Sequence, residues 1–303
     1  MLPAVALVAL ISGFAGLDWA DLWTRVRGAN WWLVALGFIA AQLPRLAQSL
    51  STLGAAPVPL PLGSVYALQL STSYINLAVP TTAGRVALNI RFFQRHGVPP
   101  GAAIAAGALD GFCGFLVQMM LLAILILFTP ASLDVDFSQS FSSAGTFLVA
   151  ALVIIGLALT VILVVARLRR FVLHWAKQLL AEAAKTLRGL RSPRRLLLLF
   201  GGNAGNEILF SVALGVFAAA MSYRVSLGEL LLIGIAVSLF SGLMPIPGGI
   251  GVAEAGLTWG LVQAGVPDEA AFPAVMLYRL STFYLPPIWG YVAFNWLRRN
   301  DQV

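Results

Sequence analysis

Six stretches of this 303-residue chain are apolar over lengths that suit a helix crossing the roughly 30 Å hydrocarbon core of a bilayer, and nothing else in the sequence narrows the possible folds as far. They run Leu2–Leu17, Trp31–Leu53, Ala102–Phe128, Thr146–Ala166, Leu196–Met221 and Ala270–Leu297. A soluble domain can bury one or two such segments in its core, not six. Charged residues make up 10% of the chain, against about 25% in an ordinary soluble domain, so too few polar side chains exist to clothe this mass in water. The expected fold is an all-α integral membrane protein, a single polytopic domain over residues 1–303. The first stretch is short and starts at Met1 with no basic residues ahead of it and no clear cleavage site, so it reads as a retained span rather than a signal peptide.

Two further apolar segments, Leu62–His96 and Leu227–Ala264, are interrupted by Pro80-Thr81-Thr82-Ala83-Gly84 and by Pro245-Ile246-Pro247-Gly248-Gly249. Their second arms hold about 12 to 15 residues, roughly 18–22 Å of helix at 1.5 Å per residue. That is short of a crossing. Irregular backbone at membrane depth survives only where protein buries it, so the segments read as two re-entrant helical hairpins added to about six transmembrane helices. Eight plain spans fit the same parity.

Orientation comes from the loops. The net charge is +7, and nine of the 19 Lys and Arg residues fall between Arg167 and Arg195. So short a loop between spans is no nucleic-acid module. It reads as a cytoplasmic loop obeying the positive-inside rule, or as a basic amphipathic helix on the inner leaflet. The loop from Thr129 to Gly145 carries Asp134 and Asp136 without a base and lies outside. Counting from these places both termini in the cytoplasm of a cell membrane. Cys113 is the single cysteine and forms no intrachain disulfide, so the compartment rests on topology alone.

The halves 1–129 and 146–303 resemble each other. Gln94-Arg95-His96-Gly97-Val98-Pro99, leading to Ala102-Ala103 and Leu109, recurs 168 residues later as Val262-Gln263-Ala264-Gly265-Val266-Pro267, leading to Ala270-Ala271 and Leu277. Each half has the order span, span, broken hairpin, span. Three crossings per half invert the second copy, which is the plan of many secondary transporters. The second arm of each hairpin then starts at a glycine-rich tip, Gly84 in one and Gly248-Gly249 in the other. Free N–H groups at a helix N-terminus favour an anion.

Ionisable groups at depth are costly and are functional candidates by default. Here they are Arg45, Arg85, Asp110, Glu207, Glu254 and Arg279, accompanied by Asn76, Asn203 and Asn206. The alternative is structural: three arginines and three acids can neutralise one another. Arg45, near the end of its span, is expected to snorkel to the interface. Ser226 and Glu229 read as a capping box, and Trp19, Trp23, Trp31 and Trp32 as an interfacial belt. His96 and His174 are isolated, so neither a metal site nor a cofactor is expected.

Pro245-Ile-Pro-Gly-Gly-Ile-Gly-Val-Ala-Glu254-Ala-Gly resembles the hallmark of the lysyl-phosphatidylglycerol synthase transmembrane family, the flippase-like domain of bacteria and archaea. The likeness extends through Asn76-Leu-Ala-Val-Pro80 with Gly84, Ala87-Leu-Asn-Ile-Arg91-Phe-Phe, Asn203 to Glu207, and Arg279. At position 85, where many relatives carry an acid, this chain has arginine. The resemblance implies movement of lipids or polyprenyl-linked headgroups between leaflets, or support of a glycosyltransferase or aminoacyltransferase. Only Arg298 to Val303 follow the last predicted span, so the membrane part is expected without the synthase domain, and no enzyme activity with it. The leading expectation is a flippase-like transporter. Membrane lipids are its partners, an anionic headgroup sits between the hairpin tips, Arg85 and Arg279 contact phosphate, and Glu254, Asp110 and Glu207 balance charge. A non-transporting docking subunit and a small-anion transporter are the alternatives.

Overall fold

The computed structural model describes residues 26–78, 82–128, 192–243 and 249–303. The expected spans Leu2–Leu17 and Thr146–Ala166, residues 79–81 and 244–248 at the hairpin tips, Gly248 among them, and the basic loop up to Arg191 lie outside them. The secondary structure of the described residues is all helical, with no strand among them. Three helical stretches, Trp31–Ala55, Pro100–Leu125 and Pro193–Ala220, are long and apolar enough to cross a membrane.

The first of these is kinked rather than straight. α1 (Trp31–Ala40) starts at Asn30, whose side-chain carbonyl accepts from the N–H groups of Trp32 at 3.1 Å and Leu33 at 3.4 Å. α2 (Leu43–Ala55) follows after a break at Ala41–Gln42. Pro44 causes it, because its ring lacks an N–H and crowds the carbonyl four residues back. α2 then packs on α6 (Pro193–Ala220) almost backbone to backbone. A Cβ on Gly54 would lie 2.5 Å from the Leu199 nitrogen, and one on Gly202 would lie 2.7 Å from the Ala47 carbonyl oxygen. Small residues permit this approach in lipid, where helix association relies on packing.

α3 (Leu62–Ala78) and α4 (Thr82–Arg95) pack on each other, as do α7 (Leu227–Leu243) and α8 (Val252–Gln263). With 17, 14, 17 and 12 residues, these arms reach roughly 26, 21, 26 and 18 Å at the helical rise. α8 sits tightly on α7: a Cβ on Gly260 would meet Ile233 at 2.5 Å, and one on Gly256 would meet Val237 at 2.9 Å.

The corners that leave the two hairpins are built alike. Gly97 and Gly265 adopt φ of +79° and +88°, the left-handed conformation that ends a helix without a Cβ penalty. The N–H of Val98 reaches the Phe93 carbonyl at 3.0 Å, and that of Val266 reaches the Leu261 carbonyl at 3.0 Å. Pro99 and Pro267 then accept the first bonds of the next helix, from Ala103 and Ala271. The recurrence seen in the sequence is thus also one of backbone geometry.

The first corner leads into α5 (Pro100–Phe128). The second leads into α9 (Asp268–Arg279), and here the expectation of one continuous helix over Ala270–Leu297 needs correction. α9 gives way to a π-helical turn at Leu280–Tyr284, and α10 (Pro286–Arg299) follows. Pro286 and Pro287 have no N–H to offer the Thr282 and Phe283 carbonyls, so the α-helical ladder cannot continue. The Leu285 N–H bonds instead to Leu280, five residues back, at 2.9 Å.

α10 lies along α3, with Gly290 so close that a Cβ would be 2.5 Å from the Leu70 carbonyl oxygen. Ala213, Leu214, Phe217, Leu257, Leu261, Ala274 and Val275 form the main buried core, and Val65, Leu68, Phe92 and Leu297 form a second one. Trp32, Ile39, Leu127, Leu197, Ile288 and Val292 are all more than 60% exposed, an apolar surface matched to lipid tails.

Candidate functional site

Polar side chains planted in these apolar helices gather around two cavities. The larger, about 690 Å³, is bounded by α2, α3, α4, α5 and α6, with Arg45, Arg85, Asp110, Asn203 and Glu207 in its lining. The smaller, about 280 Å³, is bounded by α6, α7, α8, α9 and the π turn, with Ser211, Ser238, Ser241, Tyr278, Arg279 and Thr282 in its lining. Asn206, Glu207 and Phe210 of α6 face both and form the wall between them.

Asp110 is the most heavily bonded carboxylate of the larger cavity among the described residues. Its carboxylate accepts from the Gln48 amide at 3.2 Å, the Thr52 hydroxyl at 3.2 Å, the Asn203 amide at 3.2 Å and the Ser51 hydroxyl. Asn203 also donates to Ser51 at 2.6 Å, and Gln69 donates to Thr52 at 2.9 Å. Donors spaced three and four apart on α2 present one face to α5, and Asn203, buried on α6, closes the network. Glu207 accepts from Gln118 of α5 at 3.0 Å, and the same amide reaches Ser238 of α7 at 3.5 Å. Three helices are thereby clasped at the wall.

The acids and bases do not all pair. Glu254 and Arg279 do, at 2.7 Å and both about nine-tenths buried. Glu254 also accepts from the Tyr284 hydroxyl at 2.8 Å and, as the third residue of α8, from the Gly251 N–H at 2.7 Å. Arg279 lies over the Phe283 ring, 4.4 Å from its centre. Glu254 therefore locks the start of α8 to the end of α9 and to the π turn.

Arg85 and Arg45 form no ion pair with a carboxylate among the described residues. Arg85, one residue beyond Gly84 in the first turn of α4, is exposed on the larger cavity. Arg45 does not snorkel: it is 9% exposed and donates to the Thr282 carbonyl at 2.8 Å, to Ser73 at 3.3 Å, and to the Ala41 carbonyl and Gln42 side chain at 3.4 Å. The Thr282 carbonyl is free to accept because Pro286 cannot donate to it.

Of the residues singled out in the sequence, Arg85, Asp110, Asn203 and Glu207 meet in the larger cavity, and Arg279, tied to Glu254, faces the smaller. Asn76 and Gly84 are half-buried and line neither. Gly249 is buried at φ +62°, against Ser241. The beginnings of α4 and α8 thus border different cavities. Sequence reasoning passed over Gln48, Ser51, Thr52, Gln69 and Gln118, whose signal was a set of amides and hydroxyls inside otherwise apolar runs. No group of three or more His, Cys, Asp and Glu suited to a metal ion occurs among the described residues.

A helical membrane protein with buried charges around paired polar cavities belongs to a broad class. A family model described as the lysylphosphatidylglycerol synthase TM region matches residues 1–290, and the chain belongs to that family. No curated protein matches it significantly.

Proposed function

We propose that the protein is a flippase-like carrier, not an enzyme, and that it moves a phospholipid or polyprenyl-linked headgroup between leaflets through the larger cavity. One observation carries this reading: two arginines without carboxylate partners among the described residues, Arg45 and Arg85, line a cavity of about 690 Å³ whose lining also includes the exposed apolar side chains Val86, Ile104 and Phe115. A cavity charged within and apolar at its margin suits a phosphate whose acyl tails remain in lipid. A small soluble anion needs only the first of these. The donors around Asp110 satisfy its oxygens and leave the arginines for a ligand.

On this reading α3–α4 and α7–α8 are re-entrant hairpins in a cell membrane, the termini are cytoplasmic, and the halves are inverted repeats. The short arms and the like corners at Gly97 and Gly265 support that arrangement. Reconstitution into vesicles tests the function. Leaflet exchange of a headgroup-labelled anionic lipid should exceed that of protein-free vesicles and fall at least about tenfold in Arg85→Gln, the scale of one lost charge-assisted contact. Exchange equal to protein-free vesicles contradicts the proposal.

A further inference from the structure

Arg45 faces the larger cavity and Thr282 lines the smaller, so the bond between them spans the boundary. Two carbonyls of the π turn lack an ordinary helical partner. Pro286 leaves that of Thr282 open, and the shift of the Leu285 N–H to Leu280 leaves that of Ser281 open. Both are taken by side chains flanking the α1–α2 break: Arg45 at Thr282 and the Gln42 amide at Ser281, 3.1 Å away. The turn is therefore closed from outside by α2. Phe283 of the same turn lines the second cavity beside Thr282 and stacks under Arg279.

Every acceptor of Arg45 among the described residues is neutral: two carbonyls, a hydroxyl and an amide oxygen. A guanidinium held this way exchanges its partners for a phosphate, because bidentate charge-assisted bonds are roughly twice as strong as neutral ones. Arg279, held by a carboxylate, has no such exchange to make.

We propose that Arg45 is an anion-operated latch: a phosphate-type group entering the larger cavity draws the guanidinium off the Thr282 carbonyl and frees the π turn, loosening the side of the smaller cavity that Thr282 and Phe283 line. This rests on the anion-binding reading of the larger cavity and adds the event that couples it to the smaller one. Binding at one site then lowers the stability of a segment at another, the form a ligand-driven switch takes when the ligand has different contacts in two states.

Hydrogen–deuterium exchange of the full chain in detergent tests this without requiring transport. The probes are inorganic phosphate and dihexanoyl phosphatidylglycerol, each compared with sodium chloride at equal ionic strength. Two segments are read: 85–92, beside Arg85, and 280–285, the π turn. An anion should slow exchange in the first and speed it about tenfold in the second, the opposite of simple ligand protection. Response to phosphate alone identifies a soluble anion as sufficient, and response only to the lipid assigns the group to a headgroup. In Arg45→Gln the π turn should exchange fast from the start and ignore both probes. Arg45→Lys, which keeps the charge and loses the fork, should respond more weakly than the wild type. Protection at 85–92 with unchanged or slower exchange at 280–285 overturns the latch and leaves the anion reading standing. A full wild-type response in Arg45→Lys also overturns the latch. Absence of protection at 85–92 with either probe overturns both.

Discussion

Two buried arginines, Arg45 and Arg279, are equally withdrawn from solvent and are held in opposite ways. Arg279 meets a carboxylate at 2.7 Å, which is itself fixed by the Gly251 N–H and the Tyr284 hydroxyl. Among the described residues, Arg45 meets only carbonyls, a hydroxyl and an amide. A buried charge with a matched counter-charge is a fastener, and removing either partner leaves the other stranded in low dielectric. A buried charge with neutral partners keeps its attraction for an anion. The comparison separates an arginine fixed by a counter-charge from one held by neutral groups, which we propose to seek a ligand, although both are equally buried.

The comparison can be broken first where packing is tightest. Gly202→Val would drive a branched side chain into the α2 backbone that carries Arg45, so loss of folded protein on size exclusion is the expected outcome. Next comes the fastener. Glu254→Gln should destabilise by about 3–5 kcal/mol, and Glu254→Gln with Arg279→Gln by distinctly less, as thermal unfolding in detergent would show. Equal losses in the single and double variants would deny that the pair is a unit.

Arg45→Gln should cost less stability, about 1–3 kcal/mol from unsatisfied carbonyls, while abolishing most lipid exchange. A variant that is as unstable as Glu254→Gln yet still transports would reverse the roles assigned to the two arginines. Smallest is Ser51→Ala, which removes one of four side-chain donors to Asp110. About 1 kcal/mol is expected, with transport retained.

Much of the frame was legible beforehand because it depends on composition along a helix axis. The apolar runs marked Trp31–Ala55, Pro100–Leu125 and Pro193–Ala220, and the Gly-Val-Pro recurrence marked two corners with the same bonds. The break at Ala41–Gln42 and the π turn were missed, since hydropathy is blind to prolines whose effect falls on carbonyls four residues earlier. Pro44 and Pro286 were visible, but their joint consequence was not: the turn released by Pro286 is closed by an arginine 237 positions away in the chain. Glu254 and Arg279 were both recognised as charges at depth. That they face each other, while Arg45 and Arg85 face a cavity, depends on helix rotation, which sparse charges in an apolar sequence do not determine.

The central claim is that the larger cavity holds an anionic headgroup through arginines without carboxylate partners among the described residues. Native mass spectrometry of the purified protein, released from micelles containing equal amounts of phosphatidylglycerol and phosphatidylcholine, tests it most directly. The account predicts preferential retention of the anionic lipid by the wild type, its loss in Arg45→Gln with Arg85→Gln, and its persistence in Tyr284→Phe, which removes a hydroxyl bonded to Glu254 and leaves the lining of the larger cavity unchanged. Equal retention of the two lipids by the wild type, or undiminished retention in the double variant, would contradict it.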